Sequence, residues 1–302
     1  MARFLLVPGN ELEKYQKGLA ELEEGFAYPL QGNQTFRISH GSCYSEFFER
    51  MGESFFVLAE EAEAIVGVLA VVFKVIQVNH QAVKAAYLSD LKIREDYRGG
   101  ALSSKMYLWA ALRGLRMRDC WNTPFYYFIG MKGEQGDVAH SAKGLSILKI
   151  FVPLGQLSIY FADPERVKGL GKADLQEEIQ DRAMLDLSPN RAGDSESGSP
   201  IVSLLGVKDL IFTDKRSPAK VAHLKNAGLT GAAYVDFLRE AGKATAGAYD
   251  YLCFCLDARR RALTEYLRSK DIAPVGSAGV YGFSRTGLVK QASVCRVGTY
   301  QI

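Results

Sequence analysis

The stretch REDYRGGALSSK, Arg94 to Lys105, stands between the apolar run AAYLSDLKI and a segment with helical spacing. Gly99 and Gly100 leave the backbone there without side-chain cover, and Ser103 and Ser104 keep the next turn small. The first N–H groups of a helix have no intrahelical acceptor and together carry about half a positive charge, so a helix opened by glycines favours an anion. Arg98 and Lys105 add charge and the two serines add donors. Each hydrogen bond to a charged group is worth about 1.5–3 kcal/mol. A diphosphate suits such a turn. The pattern is neither GxxxxGK[ST] nor GxGxxG, because the glycines are one adjacent pair.

Working outward, ARFLLVP reads as a strand, and the segment from Asn10 through Leu12, Tyr15, Leu19 and Leu22 reads as a helix capped by Asn10. Ser54–Glu61, a turn at Ala62-Glu63, Ala64–Val78 and Lys84–Ile93 read as a three-strand meander rich in β-branched residues. Gly100–Arg118 carries a helical stripe through Leu102, Met106, Trp109, Ala110, Leu112 and Met117. Pro124–Met131 returns to strand character, Ser141–Phe151 is a helix weakened by Gly144, and Gln156–Ala162 closes the set. In the second half, Tyr249–Asp257, Ala258–Asp271 and Ala278–Ser284 repeat the order strand, helix, strand. That order hints at a duplication without enough identity to establish one.

With the motif in this order, LKIREDYRGGALSSKMY resembles the acyl-CoA pyrophosphate loop of the GNAT superfamily of acyl-CoA-dependent N-acyltransferases, whose pattern is Q/R-x-x-G-x-G/A. Arg98 matches its first position, whereas Ala101 stands where the family usually has Gly, and Ser103 where it has Gly or Ala. The resemblance covers about Met1 to Asp163. It implies an α/β (α+β) fold with a GNAT-like mixed, mostly antiparallel sheet flanked by helices over residues 1–163. A charged helix and a Ser/Gly/Pro-rich linker are expected over 164–200 and a smaller α/β domain over 201–302; whether that domain is a degenerate GNAT-like copy is left open. Acetyl-CoA or another acyl-CoA is the implied co-substrate. Leu91 and Ile93 would hold the pantetheine arm, and Arg98, Gly99, Gly100, Ala101, Leu102, Ser103, Ser104 and Lys105 the diphosphate.

Acyl transfer from a thioester to an amine needs a deprotonated amine, a donor for the developing oxyanion and a proton for the leaving thiolate. By the resemblance, a backbone N–H at Leu91 or Lys92 polarises the carbonyl. Asp90 is the carboxylate nearest that point, as base or as a strand residue with a structural partner. The helix tyrosine usual in the family has no counterpart, since Leu148, Lys149 and Ile150 fill its vicinity. Tyr126 or Tyr127 could substitute, alternation admits one of them to the cleft, and Tyr127 is taken as the candidate. Two readings follow: an N-acyltransferase acting by direct attack on the acyl-CoA, and a catalytically silent GNAT-like binding or interaction protein. The second half has no equivalent of RGGALSS. Arg259, Arg260 and Arg261 are either contacts for an anionic acceptor or a solvated basic face.

Composition narrows the partners. Of 302 residues 48% are hydrophobic and 24% charged, as in a globular protein, and a formal charge of +3 argues for neither nucleic acid nor a membrane, a local basic patch aside. Neither a signal peptide nor a spanning segment is legible, so a cytoplasmic location is expected, with a homo-oligomer open. Five cysteines and four histidines show no metal-ligand spacing, so no metal is expected.

Overall fold

The computed structural model describes residues 2–29, 35–133, 136–137, 150–175, 184–188, 199–213, 217–225, 228–287 and 294–302. Strand β1 (Arg3–Pro8) enters a 3-10 turn (Gly9–Tyr15) and helix α1 (Gln16–Glu24), followed by β2 (Tyr28–Pro29), β3 (Thr35–Ser39) and the single turn α2 (Glu46–Glu49). The meander is β4 (Glu53–Glu61), β5 (Ala64–Val78) and β6 (Gln81–Ile93). Next come α3 (Leu102–Gly114), α4 (Arg118–Trp121), β7 (Phe125–Gly133), β8 (Gly136–Asp137) and β9 (Val152–Ala162). The remainder comprises α5 (Pro164–Lys168), β10 (Met184–Asp186), β11 (Ile201–Ser203), β12 (Asp209–Phe212), β13 (Val221–Leu224), α6 (Gly231–Thr245), β14 (Tyr251–Asp257), α7 (Arg261–Arg268), β15 (Gly276–Ser284) and β16 (Val294–Arg296).

The helix expected from Asn10 begins instead as 3-10 turns, with no side-chain cap, and becomes α-helical at Gln16. Ala62 and Glu63 both take left-handed φ, 51° and 63°, as a tight hairpin turn demands. The weak helix expected over Ser141–Phe151 lies, apart from Ile150 and Phe151, outside the described residues. Within 164–200, where a linker was expected, Met184–Asp186 pairs with β5 and with β16.

Among the described residues the main sheet has 13 strands, mostly antiparallel, in the order β1-β4-β5-β6-β7-β15-β9-β14-β13-β11 with β8, β10 and β16 attached. Two parallel pairs carry a helix between their strands: β6 and β7 around α3, and β13 and β14 around α6. The closing strands are exchanged. Strand β15, from the second half, pairs antiparallel with β7, whereas β9, from the first half, pairs with β14, and the two closing strands pair with each other. A smaller sheet, β12-β3-β2, likewise joins the halves. The division at 163 and 200 is thus crossed by hydrogen-bonded strands in both sheets.

This junction is packed to the backbone. A Cβ at Gly282 of β15 would strike Leu154 Cδ1 and lie 2.9 Å from Phe125 Cζ. Gly41, with φ of 60°, passes so close to the Gly206 carbonyl that no side chain fits. Overpacking of a close-packed core costs about 1–3 kcal/mol. Gly282→Val should therefore lower unfolding stability by at least that much in denaturant titration; an unchanged midpoint would show that β15 is not wedged between β7 and β9.

Candidate active site

The last rung that β6 and β7 share is Tyr87 opposite Tyr127, whose rings stack at 4.8 Å. Beyond it β6 continues through Leu88 to Ile93 with β5 as partner, while β7 continues from Phe128 along β15. The two strands part, and their facing backbone edges open onto a cavity of about 450 Å³ lined on one side by Leu88–Leu91 and on the other by Phe128–Met131. Phe36, Ile38 and Leu210 of the small sheet roof it, and Ser103, Ser104 and Tyr107 of α3 stand at its edge. The wall is largely apolar, as ligand sites are.

A bulge lies just beyond the parting. Pairing of β5 with β6 slips between Val68 and Ala70, so that Asp90 and Leu91 form a bulge, and Asp90 takes a φ of 52°. Such a conformation costs about 1–3 kcal/mol for a residue other than glycine unless its surroundings hold it. They do hold it. Asp90 accepts a short hydrogen bond from the Tyr44 hydroxyl and another from Lys92 Nζ at 2.6 Å. Lys92 also donates to Glu23 Oε1 at 2.8 Å, and Glu23 engages His40 through Nδ1 at 2.6 Å and through its backbone N–H at 3.0 Å. Glu23 comes from the face of α1 that also buries Leu19 and Leu22, His40 from the end of β3, and Lys92 is 1% exposed.

Burial alone would raise the Asp90 carboxyl, but the charges of Lys92 and His40 and the bonds from Lys92 and Tyr44 hold it down at about 2. Glu23 is likewise lowered: burial opposes the shift, and the hydrogen bond and charge of His40 and the charge of Lys92 outweigh it. Burial would strip Lys92 of its proton, yet Asp90, Tyr28 and Glu23 raise its pKa instead. Donor atoms of Glu23, His40 and Asp90 gather within 4.8 Å of one another, so tertiary folding makes a cluster that the scattered histidines of the sequence did not reveal. The Lys92 ammonium already bridges its two carboxylates.

The second half also supplies part of the wall, where Lys208, His223, Cys253 and Thr299 line the cavity. Lys208 Nζ lies 4.4 Å above the Phe47 ring and donates to the Ile302 carbonyl; burial brings its pKa down to about 8. Thr299 donates its hydroxyl to the Cys253 carbonyl at 3.1 Å, so the His223 Nδ1 at 3.0 Å must be the N–H that donates to Thr299. Burial, helped by the charge of Lys208, pulls His223 down to about 3.

The residues expected to hold acyl-CoA fall around the mouth. Leu91 lines the cavity, and Ile93 packs with Leu102 and Met106 under α3. Arg98 lies 4.4 Å over the Phe26 ring and donates from Nε to the Ile93 carbonyl at 2.9 Å. Gly99 takes the left-handed φ of 77°, whereas Ala101 has φ of −85° and carries no such strain. No side chain caps α3, so its first N–H groups, at Leu102, Ser103 and Ser104, stay open beside Gly100 and the exposed Lys105. Tyr127 is 1% exposed, stacked between Tyr87 and Phe125, and does not line the cavity. Arg259 pairs with Asp257, its Nε 2.8 Å from Oδ1, and Arg260 stacks on Tyr234.

No family model and no curated protein matches the sequence. Solved structures do. Saccharomyces cerevisiae N-myristoyltransferase with bound myristoyl-CoA aligns over 94% of this chain and 79% of its own at 11% identity and a TM-score of 0.53. A tandem GNAT protein from the clavulanic acid biosynthesis pathway aligns over 94% and 99% at 9% identity and a TM-score of 0.52. At such identities the likeness is one of fold.

Two outcomes follow from the buried charges. Lys92→Met leaves two carboxylates without their cation, and removing one partner of a buried pair costs about 3–5 kcal/mol, which denaturant titration will detect; a loss under about 1 kcal/mol would mean the network is solvated. Because the folded pKa of His223 lies below its unfolded value, the unfolded chain binds more protons as pH falls from 6.5 toward 3. Stability should fall over that window by up to about 1.4 kcal/mol per pH unit, with a shallower slope in His223→Gln; equal slopes would contradict the burial of a neutral imidazole.

Proposed function

We propose, starting from this GNAT fold, that the protein is an N-acyltransferase that moves an acyl group from acyl-CoA to an amine by direct attack. The observation that carries the reading is the parting of β6 and β7 beyond Tyr87 and Tyr127, with the open N-terminus of α3 beside it. An extended thioester arm laid along the freed edge of β6 finds backbone donors there, and its diphosphate reaches the glycine turn and the N–H groups of Leu102 to Ser104. The acyl group then enters the apolar cavity.

In this proposal a backbone N–H at Leu91 or Lys92 stabilises the oxyanion of the tetrahedral intermediate. The acceptor attacks as the free amine, its ammonium proton lost to solvent. Asp90, ionised and bonded to Lys92 and Tyr44, accepts a hydrogen bond from its N–H and orients it. The extra proton on the attacking nitrogen leaves to solvent as the C–S bond breaks. Departure of CoA as thiolate needs a proton donor. Tyr107 takes the part first given to Tyr127, because it lines the cavity with a phenol that is protonated at neutral pH. Cys253, which lines the cavity, does not suggest a covalent route, since it is a thiol whose pKa burial pushes up to about 12.

One observation favours the alternative of a silent acyl-CoA-binding protein: Asp90 is already engaged by two partners. Calorimetry with acetyl-CoA and longer acyl-CoAs, followed by thiol release with a panel of primary amines, separates the two. A Cβ at Gly100 meets only the Tyr97 carbonyl, at the ordinary distance of 3.5 Å, so Gly100→Glu should fold. It should weaken acyl-CoA binding tenfold or more, about 1.4 kcal/mol, by placing a carboxylate in the diphosphate cradle. In an active enzyme Tyr107→Phe should lower kcat by about a hundredfold with little change in binding. Binding without turnover selects the silent reading, and absence of acyl-CoA binding by the wild type contradicts both.

A further inference from the structure

Helix α3 is apolar on two sides. One side packs Leu102 and Met106 against Val57, Val66 and Leu69 of the sheet. On the other, Leu108, Leu112 and Leu115 are 52%, 57% and 58% exposed, and their spacing of four and three residues sets them in one stripe. Trp121 extends the stripe: it is 55% exposed, and its indole N–H donates to the Leu115 carbonyl at 2.9 Å. A helix with an apolar stripe left over after packing on its own sheet has a second partner.

The charges around the stripe indicate its chemistry. No acidic residue occurs between Asp96 and Asp119, whereas Lys105, Arg113, Arg116 and Arg118 are all exposed there. Arg285, from β15's far end, joins them: its guanidinium lies 5.3 Å from the Trp121 ring and donates to the Trp121 carbonyl at 3.0 Å. Leucines and a tryptophan ringed by arginines and a lysine form the pattern of a surface that enters the headgroup region of a bilayer, apolar groups inward and cations at the phosphates. A symmetric dimer through this face would gather the arginines of both copies into one interface that has no acidic residue between Asp96 and Asp119 to pair with them.

We propose that the exposed face of α3, with Trp121 and Arg285, docks the protein on an anionic lipid bilayer. Net charge had suggested no membrane partner; the positive charge is local and lies beside exposed leucines. Ser104, at the edge of the cavity, is one turn before Leu108 on the same face, so docking would bring the mouth of the site close to the lipid. The proposal does not depend on the acyltransferase reading.

The test is co-sedimentation of the full chain with vesicles of phosphatidylcholine alone and of phosphatidylcholine mixed with phosphatidylglycerol, at low and high salt. Binding to the anionic vesicles is expected, weakened by salt and lost in Leu112→Glu/Leu115→Glu, whose fold circular dichroism would verify. Arg113→Gln/Arg116→Gln/Arg118→Gln should weaken partitioning by about fivefold per arginine. Absence of binding, or binding that ignores lipid charge, overturns the proposal. So does light scattering that finds a wild-type dimer converted to monomer by the leucine substitutions, since a second copy would then cover the face.

Discussion

Everything distinctive about the site depends on two parallel strands failing to stay paired. A parallel pair would ordinarily continue its ladder, because an unpaired backbone edge shut away from water is expensive. Here the ladder ends at Tyr87 and Tyr127, and β6, bulged at Asp90, runs on beside a gap into which a ligand's own amides can fit. The stacked pair of Tyr87 and Tyr127 closes the sheet below the gap, and the ion network of Asp90, Lys92, Glu23 and His40 holds the bulge open. Buried charges arranged in this way contribute little net stability, but they penalise every alternative register of β6, which would strand a carboxylate or an ammonium in the core. The network acts by specifying one arrangement.

The exchange of closing strands explains why the cavity has walls from both halves. With β15 inserted between β7 and β9, the second half cannot drift from the first, and Lys208, His223 and Thr299 are brought to line the same cavity as Asp90. The small sheet does the same from above, since β12 of the second half pairs with β3 of the first. The half that lacks a glycine turn is therefore part of the candidate site by position.

The meander and the turn after it were legible in sequence because they rest on local signals: β-branched runs, a two-residue hairpin, a glycine pair opening a helix. The polar side of the site was not. Glu23 reads as one more acid on an amphipathic helix, and His40 as an isolated histidine, until folding sets them 2.6 Å apart. Lys208 and His223 lie in segments where no motif was visible. Alternation admitted either Tyr126 or Tyr127 to the cleft, but the rung of Tyr127 is the last closed one, so its ring is spent on stacking. Strand exchange is likewise silent in sequence, because a closing strand needs the same alternation whichever half it joins.

The measurement that goes to the centre of the account is isotope-edited infrared difference spectroscopy of acyl-CoA labelled with carbon-13 at the thioester carbonyl, bound to the protein. If the gap between β6 and β7 receives the thioester and aims a backbone N–H at it, the carbonyl stretch will move to lower frequency on binding. A bound carbonyl that absorbs where the free thioester does would show that the thioester lies elsewhere and that the parting of the strands is not a reaction centre.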